Sequence, residues 1–203
     1  IDVLRCLKEN GVDVNWIQIG NEVTYGMLWE TCRVSGSDAA NFLKVYNAGV
    51  AAARTIYPEA VIILHIDNGW KDETVNWFFD LVGNEASFDM MGFSLYPSYW
   101  DNGLNGYPDW RTLTERFVKN LPAFYGRFSK PIMLCEFGMP ASQPEKAKAA
   151  LQYLIDNTAD LEFFKGIFLW EPEAEHVNTG YDYGAFQYGR PTIALEPFQQ
   201  QIR

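Results

Sequence analysis

Residues 14–22 read VNWIQIGNE, a short apolar run that stops at a glycine and turns at once into an amide and a carboxylate. The run through residue 19 has the length and composition of a buried strand. A carboxylate directly after such a strand is not core material, because a buried unpaired charge is expensive. Asn21 and Glu22 therefore stand at a strand's exit. Four more stretches repeat the arrangement: 61–66 (VIILHI), 89–94 (DMMGFS), 131–135 (PIMLC) and 166–170 (GIFLW). Polar groups follow each of them, with Asp67 and Asn68 after the second, Tyr96 after the third, Glu136 after the fourth and Glu171 after the fifth. Helical patterns fill the intervals at about 38–56, 70–83, 111–126 and 144–158, with a last one near 192–201. Asp109 precedes the third helix and Pro144 opens the fourth, both suited to a helix start. Residues 1–10 read as the end of a helix, with Gly11 as its stop.

Alternating strands and helices with nearly continuous apolar strands imply a parallel sheet covered by helices. An open doubly wound sheet and a closed (β/α)8 barrel both satisfy that pattern. No glycine-rich phosphate loop follows any strand, so the nucleotide-binding form of the open sheet lacks its signature. Polar residues instead gather after several different strands, as they do at the C-terminal mouth of a barrel. The expected fold is thus an α/β (TIM) barrel of which residues 1–203 form the C-terminal part, one partial domain. Five strands are visible where a barrel has eight. Strands one to three are expected upstream of Ile1, in a partner chain or in a disordered region, because five strands alone leave two bare edges.

Composition narrows the partners. The net charge is −10, from sixteen basic and twenty-six acidic residues, which disfavours a nucleic-acid binder. No apolar run reaches the roughly 18 residues of a membrane span, so no membrane partner is expected. Cys6, Cys32 and Cys135 have no metal-like spacing and read as buried or incidental thiols, with one disulfide plus a spare thiol as the alternative. Aromatic residues make up 16% of the chain, and Tyr96, Trp100, Tyr107, Trp110 and Trp170 fall in or beside turn-like segments. Rings there can serve as platforms for sugar faces.

Taken singly, Glu22 or Glu136 could be a solvated loop carboxylate. Taken together they end strands three apart, and in an eight-stranded barrel such strands face each other across the mouth. A retaining glycosidase needs two carboxyls about 5–5.5 Å apart, one acid/base and one nucleophile. His65 points from within an apolar strand and reads equally as a satisfied interior histidine or a ligand contact.

The stretches IQIGNEVTYGMLW, ILHIDNGW, MMGFSLYPSYW, PIMLCEFGMP and GIFLWEPE resemble clan A glycoside hydrolases, and more closely glycoside hydrolase family 53, the endo-β-1,4-galactanases. The tail GAFQYGRPTIALEPF is similar to that family's closing segment. The resemblance covers the whole chain as strands four to eight. It implies an extracellular or periplasmic enzyme that cleaves β-1,4-galactan in pectic arabinogalactan by double displacement. Glu22 would be the general acid/base, with its pKa raised by its neighbours, and Glu136 the ionised nucleophile. Asn21 would bond the sugar 2-hydroxyl, Tyr96 would hold the nucleophile, and Trp170 would floor the −1 subsite, with a cis peptide after it. His65, Asp67, Asn68, Trp100 and Glu171 are further substrate-contact candidates, Glu171 equally a support of the mouth.

No metal or other cofactor is needed by this chemistry. Some family members bind calcium in a long loop after the seventh strand. Here FGMPASQP alone joins Glu136 to the next helix, so no such ion is expected. Two other readings stand beside galactan hydrolysis. One is a different clan A endo-glycanase acting on mannan or β-glucan. The other is a barrel fragment that binds polysaccharide, or nothing, without turnover.

Overall fold

The computed structural model describes residues 1–100 and 109–199, apart from the side chain of Trp100. Five parallel strands form its one large sheet: β1 (Trp16–Gln18), β2 (Val61–Ile66), β3 (Met90–Leu95), β4 (Ile132–Phe137) and β5 (Phe164–Leu169). Neighbours in the sheet are neighbours in the chain throughout. A doubly wound sheet reverses its strand order at a switch point, whereas a barrel never does. This is part of a (β/α)8 barrel.

Five helices accompany the strands: α1 (Asp2–Glu9), α2 (Ala40–Ile56), α3 (Asp72–Val82), α4 (Trp110–Phe128) and α5 (Pro144–Thr158). Gly11 ends α1 as expected, at φ +75°, where only glycine is unstrained. Its N–H donates to the Lys8 carbonyl and that of Val12 to Leu7, the paired bonds of a Schellman stop. The Asp109 carboxylate caps α4 by accepting from the N–H groups of Arg111 (2.9 Å) and Thr112 (3.0 Å). Pro144 begins α5, where its missing N–H costs nothing. The last expected helix is broken into a 3-10 turn, Ile193–Leu195, and a short α turn, Glu196–Gln199. Pro197 has no N–H with which to continue the earlier turn, and residues 200 and 201 lie outside the described part.

The strand side chains alternate between two apolar layers. Ile62, Leu64 and Ile66 of β2 join the outer core under the helices, while Ile63 joins Met90 and Met133 inside the barrel. Phe93 of β3 anchors the outer layer, its ring within 6.2 Å of Phe79 (α3) and 5.7 Å of Phe124 (α4). Trp110, one of the candidate sugar platforms, packs instead against this outer core. The three cysteines are free thiols, with Cys32 buried and Cys6 exposed.

β1 and β5 are the two edges of the sheet. Trp16 on one and Phe168 on the other meet edge to face at 6.3 Å, so the sheet curls far enough for side chains of its two edge strands to meet. Both rings remain about half exposed, at 43% and 52%. Further barrel strands would pair those edges and cover those rings.

One irregularity positions the site. Phe93 pairs with Leu134, but Ser94, the next residue of β3, pairs with Glu136. Cys135 is the extra residue of a bulge. Strict alternation from Leu134, an outer-core residue, would send Glu136 outward. The bulge re-aims it to the inner face, opposite Ser94.

Candidate active site

The polar residues at the strand exits converge on one cleft at the C-terminal mouth. It has a volume of about 390 Å³, and its walls include Glu22, Asp67, Asn68, Tyr96, Glu136 and Trp170. Three of the exit residues have left-handed backbone: Glu22 (φ +47°), Asn68 (φ +48°) and Glu171 (φ +41°). For Glu this conformation costs on the order of 1–2 kcal/mol, and it persists where a site over-determines it.

Glu22, Glu136 and His65 each bring one polar atom into a cluster whose members all lie within 4.8 Å of one another. The two carboxylates thus meet across the cleft as strands facing over a barrel mouth require. Such a trio has metal-ligand chemistry, but the His65 ring is already engaged. Its Nε2 lies 2.8 Å from the Ser94 hydroxyl and its Nδ1 lies 3.2 Å from Asn21 Oδ1. Gln18 Nε2 also donates to Asn21 Oδ1 (3.0 Å), which identifies that atom as the oxygen. Nδ1–H therefore donates to Asn21, and Nε2 accepts from Ser94. No lone pair is left for a cation.

His65 is wholly buried, and burial lowers its pKa to about 4. Of the two readings of this residue, interior histidine or ligand contact, the burial and the two ring hydrogen bonds are those of an interior histidine. The neutral ring lies beneath the cleft and fixes the amide of Asn21, whose nitrogen is left to face the site. Gln18 buttresses the same amide, a link invisible in the sequence because strand glutamines look alike.

Glu136 is only 6% exposed. Tyr96 donates its hydroxyl to Oε2 at 2.9 Å, while Oε1 is buried without a hydrogen-bond partner. Burial, the larger influence, pushes the Glu136 carboxyl above its ordinary pKa; the Tyr96 bond opposes this, the Glu22 charge adds to it, and the nearby Asn21 amide again opposes it. An upward push is found on Glu136, where the sequence reading had expected an ionised carboxylate. Tyr96 itself is raised far above the phenol range, by burial first and the Glu136 charge second, so it stays a donor. Gly138 makes room for this ring, since a Cβ there would sit 2.4 Å from Tyr96 Cε1.

Asp67 accepts from the Thr24 hydroxyl and from Asn68 Nδ2 (2.5 Å), while its N–H donates to Thr24 Oγ1 (3.1 Å). It ties the loop after β1 to the exit of β2 while also lining the cleft. Trp170 lines the cleft at 43% exposure, anchored by its N–H to the Phe137 carbonyl (3.1 Å). The peptide after Trp170 is trans, contrary to expectation; the non-proline cis bond joins Trp29 and Glu30. Glu171 is not among the cleft-lining residues, and its carbonyl accepts from the Ala174 N–H (3.0 Å). The side chain of Trp100, and all of Tyr107, lie outside the described residues.

Ser94, Tyr99, Tyr181 and Tyr183 also line the cleft and were missed. The run YDYGAF at 181–186 was the available signal, an aromatic pair in a loop after the last strand. Gly184 seats that loop, since a Cβ there would lie 1.8 Å from the Ala174 carbonyl oxygen.

A barrel sheet with a paired-carboxylate cleft at its C-terminal mouth defines the class: a (β/α)8 barrel of the glycoside-hydrolase type. A model described as glycosyl hydrolase family 53 matches residues 1–194. The chain belongs to glycosyl hydrolase family 53. It is 27% identical over 199 residues to the arabinogalactan endo-beta-1,4-galactanase of Humicola insolens, covering 87% of this chain and 57% of that one. An uncharacterized protein from the bgaB 5' region of Niallia circulans is 34% identical over 146 residues, covering 68% of this chain and 37% of that one. The chain spans about half the length of the curated relatives it matches. A fungal beta-1,4-galactanase structure superposes with a TM-score of 0.80 at 24% identity, over 98% of this chain and 65% of that one. A GH53 catalytic domain from Ignisphaera aggregans follows at 0.70 and 20% identity, over 98% and 62%. At those identities the structures speak for the fold.

Proposed function

We propose that this chain carries the acid/base and the nucleophile of an endo-acting, retaining hydrolase of β-1,4-galactan. The observation that carries the reading is the approach of Glu22 and Glu136 to within 4.8 Å in a family 53 barrel. A pair about 5 Å apart leaves no room for a water behind the anomeric carbon, so one carboxylate must itself attack. Glu136 attacks that carbon as Glu22 protonates the departing glycosidic oxygen. Glu22, now ionised, then takes a proton from the water that hydrolyses the galactosyl ester. Tyr96 fixes Oε2 of Glu136, and Asn21, held by His65 and Gln18, offers its amide to the sugar. Trp170 supplies an apolar floor. Pectic arabinogalactan is too large to cross a membrane, which places the work outside the cytoplasm. Among the described residues no helix is long and apolar enough to span one.

Hydrolysis of galactan, mannan and β-glucan by the whole protein that carries this chain tests the reading, with NMR following the configuration of the first product. Galactan is expected to be cleaved internally with retained configuration. Preference for mannan or glucan would reassign the sugar, and inversion would remove Glu136 from its role.

A second expectation concerns pH. Tyr96→Phe removes a hydrogen bond that lowers the Glu136 pKa and leaves burial, which raises it, in place. The nucleophile then ionises only at higher pH. The acid limb of kcat/KM should move upward, with a fall of about tenfold or more on the acid side. An unmoved limb would show that Tyr96 does not hold the nucleophile.

A further inference from the structure

Glu22 owes its position to the backbone on either side of it. Its carboxylate caps no helix end and, among the described residues, accepts no hydrogen bond. The chain before it is fixed at Asn21, whose amide oxygen is held by Gln18 (3.0 Å) and His65 (3.2 Å). The chain after it enters the 3-10 turn Val23–Tyr25, which packs so closely on Gly20 that a Cβ there would lie 2.6 Å from Val23 Cγ1. Val23 is wholly buried in the outer core. Apolar burial is non-directional, so it sets how deep the turn lies without setting its orientation.

Orientation comes from the next residue. Thr24, 1% exposed, closes a ring of two hydrogen bonds with Asp67. Its hydroxyl donates to Asp67 Oδ1 and accepts from the Asp67 N–H (3.1 Å). Asp67 Oδ2 accepts from Asn68 Nδ2 (2.5 Å), so both carboxylate oxygens are bonded. Asp67 and Asn68 directly follow β2, which pairs with β1. The clasp therefore ties the chain two residues past Glu22 to the exit of the neighbouring strand. A left-handed residue stands beside each end of the tie, Glu22 at φ +47° and Asn68 at φ +48°. Neither backbone is one that such a side chain holds without support from its surroundings.

We propose that Thr24 is the positioning residue of the proton donor: its two-bond clasp with Asp67 fixes the backbone behind Glu22 and so aims the Glu22 carboxyl at Glu136 across the cleft. The inference rests on Glu22 being the acid/base and adds what keeps it in place. A donor displaced by about an ångström transfers its proton poorly, while attack by Glu136 on a substrate that needs no proton is unaffected. A merely structural role would weaken both reactions alike.

The test measures kcat/KM, which reports formation of the sugar ester, on the whole protein. Two substrates are compared: the polysaccharide it cleaves and the dinitrophenyl β-glycoside of the same sugar, whose leaving group needs no acid. Thr24→Val keeps the shape and removes the hydroxyl; Thr24→Ala removes the hydroxyl without crowding and repeats the measurement should the valine not fold. Both should lose about 10–100-fold on the polysaccharide and stay within about threefold on the dinitrophenyl substrate. Thr24→Ser, which keeps the hydroxyl, should stay within about threefold on both. Equal losses on the two substrates, no loss, or a serine variant as impaired as the valine one overturns the proposal. Glu22→Ala runs alongside to separate the two failures. If it spares the dinitrophenyl substrate and Thr24→Val does not, the clasp alone is refuted. If Glu22→Ala itself loses equally on both, the acid assignment fails and the positioning role falls with it.

Discussion

Glu136→Ala in the whole protein is expected to lose at least about 10⁴-fold in turnover on galactan, the scale seen when a covalent nucleophile is deleted. The side chain lies inside β4, almost entirely buried, and no second carboxylate among the cleft-lining residues other than Glu22 and Asp67 could substitute. Asp67 is spent on Thr24 and Asn68, and Glu22 approaches from the opposite side. The truncation leaves a small space behind the anomeric carbon. Azide entering it should attack an activated aryl galactoside directly and give a galactosyl azide of inverted configuration. NMR of the azide product reads the outcome. A product of retained configuration, or turnover within tenfold of the unmutated protein, would refute Glu136 as nucleophile.

Glu22→Ala should behave differently, because it removes the proton donor and leaves the attacking group in place. Galactan, whose leaving group is a sugar hydroxyl, should be cleaved about 10²–10⁴-fold more slowly. Aryl substrates with acidic leaving groups need no proton and should still load Glu136. With no base to activate water, the ester accumulates and a burst appears. Azide needs no base either, so it should release the intermediate as a product of retained configuration. Opposite configurations from the two variants require carboxyls on opposite sides of one carbon. Equal losses on galactan and aryl substrates in Glu22→Ala would deny it the acid role.

Much of this molecule is legible before any coordinates are seen. VIILHI marks β2 and Pro144 marks the start of α5 because both signals are local, an unbroken apolar run and a residue without an N–H. β1 is shorter than the apolar run suggests, although Val14 and Ile19 pack on the core and the Ile19 N–H still reaches the Ile63 carbonyl at 3.4 Å. Glu22 and Glu136 are legible because charge after an apolar strand demands an explanation. The bulge that turns Glu136 inward is not, because it depends on how β4 pairs with β3 and no residue type announces it. His65 shows the same limit. The sequence places it within an apolar strand as either an interior histidine or a ligand contact, and only Ser94 and Asn21, from two other segments, show it hydrogen-bonded beneath the cleft. Tyr181 and Tyr183 escape notice because their position relies on a close backbone approach at Gly184.

The two carboxylates are also anchored in unlike ways. Glu136 belongs to a strand paired on both sides, whereas Glu22 is the left-handed residue from which the 3-10 turn Val23–Tyr25 departs. That turn leads to exposed Leu28 and Trp29. Any change in that loop therefore acts on Glu22, the proposed proton donor, through a single peptide, while Glu136, the proposed nucleophile, is held by the sheet. Under the proposed roles, loop shape and proton-donor position are mechanically coupled, and loop shape and nucleophile position are not. Variation in residues 23–33 is expected to register first as a change in leaving-group dependence, before it alters the rate at which the sugar ester forms from activated substrates.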